Sequence, residues 1–572
     1  MYFKNYKDKV LYIIGNKTKI IFIFLFLFII ISLFETLSLA IVVPFLSILL
    51  KKNNGDQVDF PFYELINKHL IHDNIILSFG IIIILIFTTK LIISILNLYI
   101  VNKISWKKIV EIRVRLLLSF NSMKYDEYIK KNSSQYTNQI AILSSVFVKN
   151  TFLPLTKIIS DFLIIFFVAI FLGFLNIYIL ITVLSVLTIS LLSYDFFFRR
   201  KLKKYGYEMD QAQRDILKNI NEMFYGFKEI KILNKLNFFI SRVIFSSKLM
   251  AKRQIKKILI SETPRYIYEF IIAILIVSFI VFYSSFLQKD ITSIVPTIAV
   301  FVLAFIRILP IVSQLNTNLT NLRASIVATE TIYEQLKLTE DLNTIKNKED
   351  SKNLLSFKSL KFENVSFGYE KNNKVLNSIN FDLKLGQMIG ITGDSGTGKT
   401  TFVDLLVGLL QPNDGKIYLN DKIVDFSKDR NEIVNISAYL PQTNFIFEDN
   451  IIKNISLKEK IEEVDLQKIK KILKKINLFH DVNSELKDRG LNLSGGQKQK
   501  ISIARSFFSN RQILIMDEST SALDKQNELE ILDYLNSIKK EITIIVISHN
   551  YETLKYCDNI YKIENKTLKK IQ

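Results

Sequence analysis

Long apolar runs alternating with lysine-rich loops dominate the first half of this 572-residue chain, and no soluble fold accommodates that pattern. Six runs reach the roughly 20 residues that a helix needs to cross a bilayer: about Ile20–Leu50, Ile75–Val101, Phe147–Gly173, Asn176–Phe198, Tyr266–Leu287 and Ile294–Gln314. The first is too long for a cleaved leader, and no small-residue cleavage site follows it. Lys4, Lys7, Lys9, Lys17 and Lys19 precede the first run, and the loop after the fourth opens with RRKLKK (199–204). On the opposite side the loops hold only Lys51, Lys52, Lys68 and Lys289. Cations concentrate on the cytoplasmic side of membrane proteins, so both termini are expected there. The net charge of +21 therefore reflects loop placement and calls for no nucleic-acid partner. The lone cysteine, Cys557, excludes an internal disulfide and a cysteine-based zinc cluster.

Two of the cytoplasmic loops are long and helical in pattern. Each holds a short stretch suited to a crosswise coupling helix, KYDEYIKK (124–131) and NEMFYGFKEIK (221–231). Residues 60–70, FPFYELINKHL, put Phe62, Leu65, Ile66 and His69 on one stripe, as in a surface helix or a packed external loop. Glu35, Lys90, Glu269 and Arg307 fall inside the apolar runs, with Arg265 at a run's mouth. Charges there neutralise one another, for example Glu35 with Lys90, or line a cavity for an anionic substrate.

A polar linker, residues 338–354, separates a membrane domain (1–337) from a domain at 355–572 with a different rhythm. There short β-rich runs alternate with amphipathic helices, as in an α/β sheet domain. Eleven of the seventeen glycines fall between Gly368 and Gly496, where backbone must approach a ligand closely. The stretch MIGITGDSGTGKTT reads strand, glycine loop, helix. Gly393, Asp394, Ser395, Gly396, Thr397 and Gly398 form a loop whose N–H groups cradle phosphates. Lys399 reaches the terminal phosphates, Thr400 offers a hydroxyl to Mg²⁺, and Thr401 beside it is a further nucleotide-binding residue. In QILIMDE (512–518) a buried strand ends in two carboxylates: Asp517 suits Mg²⁺, and Glu518 suits a general base that polarises attacking water.

This second domain resembles the nucleotide-binding domain of ABC transporters, whose signature is matched by LSGGQ (493–497). The resemblance implies that Tyr369 in VSFGYE stacks on adenine and that Gln442 in YLPQ joins the site to the membrane half and assists Mg²⁺. It further implies that Asp524 in SALD contacts a second copy and that His549 in VISHN contacts the γ-phosphate. Ser494, Gly495, Gly496 and Gln497 would open a helix facing ATP on the other subunit, since helix N-termini favour phosphate. With one membrane half and one motor half, the chain is expected to work as a homodimer. Six membrane helices fused to such a domain define the exporter type. Lysines in GGQKQK and the SHN triplet depart slightly from the family's usual residues while keeping the functional atoms.

Three stretches, FETLSLAIVVPFLSIL (34–49), TPRYIYEF (263–270) and IAVFVLAFIRILP (298–310), are similar to lipid-linked oligosaccharide flippases of the PglK type. That likeness implies a polyprenyl-diphosphate glycan moved across a bacterial inner membrane, with Lys90, Arg265 and Arg307 lining its path. Exporters of lipid A, drugs or peptides share every motor motif. An ATP-gated channel would tolerate loss of Glu518, and its presence argues for a turnover motor. The absence of a peptidase domain before the membrane half disfavours a leader-cleaving exporter.

Overall fold

The computed structural model describes residues 2–15, 18–41, 45, 75–130, 132–175, 177–285, 295–338, 356–370, 373–426, 430–478, 484–487, 490, 492–518 and 525–572. The expected surface helix at 60–70, residues 339–354 of the linker and Asp524 lie outside the described residues. The chain divides into two compact units, Met1–Ser122 with Lys131–Asn343, and Met123–Lys130 with Thr344–Gln572.

The first unit is helical. Its described elements are α1 (Tyr2–Ile14), α2 (Thr18–Ala40) and α3 (Ile75–Ser122). The second unit claims a single turn, α4 (Tyr125–Tyr128). The first unit resumes with a helical stretch at 133–152, wider-wound at Asn138–Leu143 and Val148–Phe152, which leads into α5 (Leu153–Leu175), and continues with α6 (Ile177–Tyr225), α7 (Phe227–Ile232), α8 (Leu236–Ser285), α9 (Val295–Ala324) and α10 (Ile326–Leu338). Six of these overlie the six apolar runs. Among the described residues three stretches, Lys19–Ala40, Leu77–Ser122 and Ser133–Phe174, are long and apolar enough to cross a membrane. Helices α3, α6 and α8 run far past their apolar runs. Their polar ends continue with helical spacing, and α8 runs on through Pro264.

One buried core of this unit gathers α1, α3 and α10 around Ile13, Ile112, Leu116 and Ile332. Lys108 and Arg115 of α3 cap the free carbonyls that end α1, at 3.0 Å from Ile14 O and 2.5 Å from Ile13 O. At Gly206 the backbone of α6 meets the break between α9 and α10. A Cβ there would lie 2.0 Å from the Ala324 carbonyl oxygen, so only glycine permits that crossing.

The second unit is built on two sheets. Strands β1 (Ser359–Phe367), β2 (Leu376–Lys384), β4 (Asp414–Leu419) and β5 (Lys422–Ile423) form an antiparallel sheet in the order β2-β1-β4-β5. The other sheet runs β10-β9-β3-β8-β7-β6. It comprises β3 (Met388–Thr392), β6 (Ser437–Leu440), β7 (Ile513–Asp517), β8 (Thr543–Ile547), β9 (Asn559–Glu564) and β10 (Thr567–Lys570), all parallel except the β9–β10 pair.

Strand alternation decides how the parallel sheet is buried. Ile389, Ile391, Ile513, Ile515, Ile545 and Ile547 face a core shared with the antiparallel sheet and α11 (Lys399–Leu406). Met388, Leu514, Met516, Ile544 and Val546 face a second core. That core is completed by α12 (Leu466–Lys475), α13 (Gly495–Phe508) and α14 (Lys525–Ile538). Covered on both faces, these strands must read as continuous apolar runs, which is how the sequence writes them. The turn α4 belongs to this unit because Tyr125 packs on the first core. Asp126 also lies within electrostatic reach of Arg430. The other expected coupling stretch breaks at Gly226 into α7, leaving Phe224, Tyr225 and Phe227 exposed.

Candidate active site

Parallel strands deliver their C-terminal ends to one edge of a sheet, and the chemistry gathers there. β3 runs into the glycine loop. Gly393 has φ +154°, and a Cβ on it would come within 2.6 Å of the Ile563 carbonyl oxygen. Gly398, at φ +102°, adopts a left-handed conformation to start α11. Thr397 Oγ1 donates to Asp394 O at 2.8 Å and holds the loop's curve. Lys399 Nζ donates to the carbonyl oxygens of Gly393 (2.6 Å) and Asp394 (3.0 Å), so its ammonium is held across the mouth of the loop.

From Lys399 a continuous polar chain crosses the site. His549 Nε2, just past the end of β8, is 3.1 Å from Lys399 Nζ and 3.1 Å from Glu518 Oε1. Gln442 Nε2 donates to the other oxygen, Glu518 Oε2, at 2.7 Å. Glu518 has φ +46°, a conformation that a non-glycine residue holds only when its surroundings over-determine it. Its N–H donates to Ile547 O at 3.0 Å, and that bond fixes the turn. The four residues come from four separate segments, and the site orients the carboxylate from both sides.

Asp517 ends β7 half-buried, and Tyr439 donates its hydroxyl to Asp517 Oδ2 at 3.0 Å. Burial pushes the Asp517 carboxyl up, and the Tyr439 hydrogen bond pulls it back. Asp404, one turn along α11, is only 6% exposed. Burial and the nearby Asp517 push its carboxyl up to about 6. Tyr125 of α4 adjoins Asp404 and Tyr369, and its own hydroxyl is pushed up chiefly by burial. Tyr439 and Asp404 escaped the sequence reading. Tyr439 stands inside the quoted YLPQ stretch, and Asp404 is a carboxylate in the otherwise apolar run FVDLL.

The donor set fits Mg²⁺. The cation prefers hard oxygen ligands and keeps several waters. With Oδ2 of Asp517 committed to Tyr439, its Oδ1 is left over, and Gln442 keeps its amide oxygen because its nitrogen serves Glu518. The Thr400 hydroxyl would complete the set.

Tyr369 stands beside the loop, 39% exposed and edge-on to Phe367 at 5.1 Å. Its hydroxyl lies 3.4 Å from Thr401 Oγ1. The signature segment begins α13 with a reciprocal cap. Gln497 N donates to Ser494 Oγ at 3.2 Å, and Ser494 N donates to Gln497 Oε1 at 2.8 Å. The remaining N–H groups of that first turn, from Gly495 and Gly496, have no intrahelical acceptor.

In the first unit Lys90 and Arg307 meet on one carboxylate. Glu35 Oε2 accepts from Lys90 Nζ at 2.6 Å and from Arg307 at 2.5 Å, and Arg307 also donates to Ser38 Oγ at 2.9 Å. Both cations lie against the Phe87 ring, at 5.8 and 5.6 Å from its centroid. Arg265 is not part of this group. It pairs with Glu269 one turn along α8, and both are exposed.

A phosphate loop, a carboxylate pair at a strand end, and a separate capped helix together define an ATP-hydrolysing motor, carried on a chain whose other unit is made of long apolar helices. Residues 376–521 match the ABC transporter family model. Over 488 residues, 82% of this chain and 80% of the relative, it is 29% identical to the ATP-dependent lipid A-core flippase of Wigglesworthia glossinidia brevipalpis. The microcin-J25 export ATP-binding/permease protein of Escherichia coli is 39% identical over 210 residues, which is 36% of each chain. In fold, the chain resembles a bacterial Atm1-family ABC exporter with ATP bound. The TM-score is 0.78 at 18% identity, covering 97% of this chain and 95% of that one. Residues 376–521 are thus an ABC-type ATP-binding domain, fused to a helical membrane half in the fold of an ABC exporter half-transporter, and ATP hydrolysis there is coupled to transport.

Proposed function

We propose that two copies of this chain, with both termini in the cytoplasm of a bacterium, flip a phosphate-bearing lipid across the inner membrane. The polyprenyl-diphosphate oligosaccharide is the substrate of choice. The observation that carries the substrate class is the cluster of Lys90, Arg307 and Glu35. Two cations share one carboxylate, so a charge of +1 is left within the apolar spans. A charge-assisted contact with a diphosphate would be strong in such surroundings. Lipid A, also a phosphate-bearing lipid, is the second reading, and the relative named for that activity favours it.

On the motor side, ATP would enter with its base against Tyr369 and its phosphates on the N–H groups of 393–398. Lys399 then exchanges its two carbonyl partners for phosphate oxygens. Bound Mg²⁺ would neutralise phosphate charge between Thr400, Gln442 and Asp517. Glu518, held by Gln442 and His549, accepts the proton of the attacking water. Ser494, Gly495 and Gly496 of the second copy, with its Asp524 alongside, would close on the γ-phosphate. ATP favours the closed dimer because it touches more protein there, and hydrolysis removes that preference. Tyr125 packs on the motor core, which supports a role for α4 as the coupling element that would pass the change onward.

The test is reconstitution into liposomes holding labelled polyprenyl-diphosphate glycan or labelled lipid A, with wild type beside Glu518→Gln. Wild type should flip the glycan lipid and the variant should not. Flipping of lipid A alone selects the second reading, and equal movement by both proteins sinks the motor reading.

A further inference from the structure

The same sheet has a second loaded edge. In parallel strands the catalytic groups occupy the C-terminal ends, whereas Ala438, Leu514 and Ile542 lie at the N-terminal ends of β6, β7 and β8. Five residues of strand at about 3.3 Å each put roughly 15 Å between the two edges. A cavity of about 920 Å³ opens at this far edge, between α12, α14 and the C-terminal end of α13. That size lies within the range of small-molecule sites.

Its lining is sorted by chemistry. Ile472, Leu514, Ile538 and Ile542 give it an apolar floor, beside the aromatic pair Phe507 and Tyr534, which meet edge to face at 5.4 Å. Five cations stand around that floor, Lys468, Lys471, Lys474, Lys475 and Arg511, with Glu541 as the one acid among the lining residues. The spacing of 468, 471 and 475 puts three like charges on one stripe of α12, an arrangement that weakens a helix unless an anion joins it. Two of the lysines are held in place. Lys468 donates to Phe508 O (2.7 Å) and Asn510 Oδ1 (2.8 Å), and Lys475 reaches the Tyr534 hydroxyl at 3.3 Å with its ammonium over that ring. The side chains of Lys471 and Lys474 make neither an ion pair nor a hydrogen bond among the described residues.

We infer that this cavity binds a multiply charged organic phosphate with a flat ring, a nucleotide-class ligand, independently of the ATP site. The ring covers the apolar and aromatic floor, and the phosphates reach Lys471 and Lys474. Charge complementarity selects a polyanion, since so many cations against one acid exceed the need of a single carboxylate. The floor selects a ligand with an apolar face over inorganic phosphate.

The experiment titrates the purified full-length protein with GDP by calorimetry, with the ATP site filled by Mg-ATP in the Glu518→Gln background. The expected result is one GDP per chain, with an affinity unchanged between two ATP concentrations. Lys471→Glu/Lys474→Glu should weaken it at least ~10-fold, while Lys569→Glu, on β10 and outside the lining, leaves it unchanged. Pyrophosphate should bind more weakly than GDP. The inference is overturned by GDP binding that ATP competes away, by absence of saturable binding, or by equal losses in the Lys569 and Lys471/Lys474 variants. Pyrophosphate binding as tightly as GDP overturns the assignment of the floor to a ring.

Discussion

Removing the carboxylate of Glu35 should cost more than removing either of its cations. Lys90 Nζ and the Arg307 guanidinium both touch Glu35 Oε2, at 2.6 and 2.5 Å, so the two nitrogens stand no more than about 5 Å apart. In Glu35→Gln they face each other without the intervening charge. At an effective dielectric near 20, two like charges at that distance repel by about 3 kcal/mol. Side-chain exposures of 18–26% let solvent screen part of this, leaving roughly 2 kcal/mol. Lys90→Gln leaves Glu35 and Arg307 as a neutral pair, still tied to Ser38, and should cost less than half as much. The assay is thermal unfolding of the detergent-solubilised protein, read by loss of the monodisperse chromatographic peak. Glu35→Gln should lower the midpoint by roughly 2–5 °C and Lys90→Gln by about 1 °C. The double variant should recover most of the loss. Equal shifts for the two single variants, or a larger one for Lys90→Gln, would refute the shared-carboxylate account.

Two further expectations concern the motor. Asp404 titrates near 6 in the folded domain against 3.8 for the free side chain, so between those values the folded state holds the extra proton. Stability therefore falls as pH rises through that window, by up to about 3 kcal/mol. Asp404→Asn should flatten the dependence and raise the melting temperature at pH 7.5; a variant that melts lower at pH 7.5 than wild type would contradict it. Tyr439→Phe removes the hydroxyl that holds Asp517 Oδ2, a hydrogen bond to a charged group worth about 1.5 kcal/mol at this half-exposed position. The Mg²⁺ concentration for half-maximal ATPase activity should rise about tenfold, with nucleotide binding in EDTA unchanged. A fall in maximal rate at unaltered Mg²⁺ dependence would assign Tyr439 another role.

The glycine loop and the Asp517–Glu518 pair were legible because each is a contiguous strand–turn–helix or strand end, specified within about a dozen residues by backbone demands that few residue types meet. The apolar runs were legible for a similar reason, since length and polarity are local quantities. Neutralisation of Glu35 by Lys90 was one of two readings open from composition. That Arg307 shares the same oxygen, from 272 residues away, and that Arg265 turns instead to Glu269, follow from how the helices pack. The stretch 123–130 looked like part of the helical half, and it clusters with the motor, because Tyr125 finds its apolar neighbours there.

By itself the sequence determined that this chain carries a phosphate-binding motor and greasy helices, since glycine at forced backbone positions, a carboxylate pair after a buried strand and uninterrupted apolar length each admit few physical solutions. Only the tertiary structure decided which charges meet. Lys399, His549, Glu518 and Gln442 form one polar chain, and five cations ring a cavity at the opposite edge of the sheet. Such partnerships rest on distances of about 3 Å between segments far apart in the chain. Those distances are set by the packing of whole strands and helices, which no local run of residues encodes.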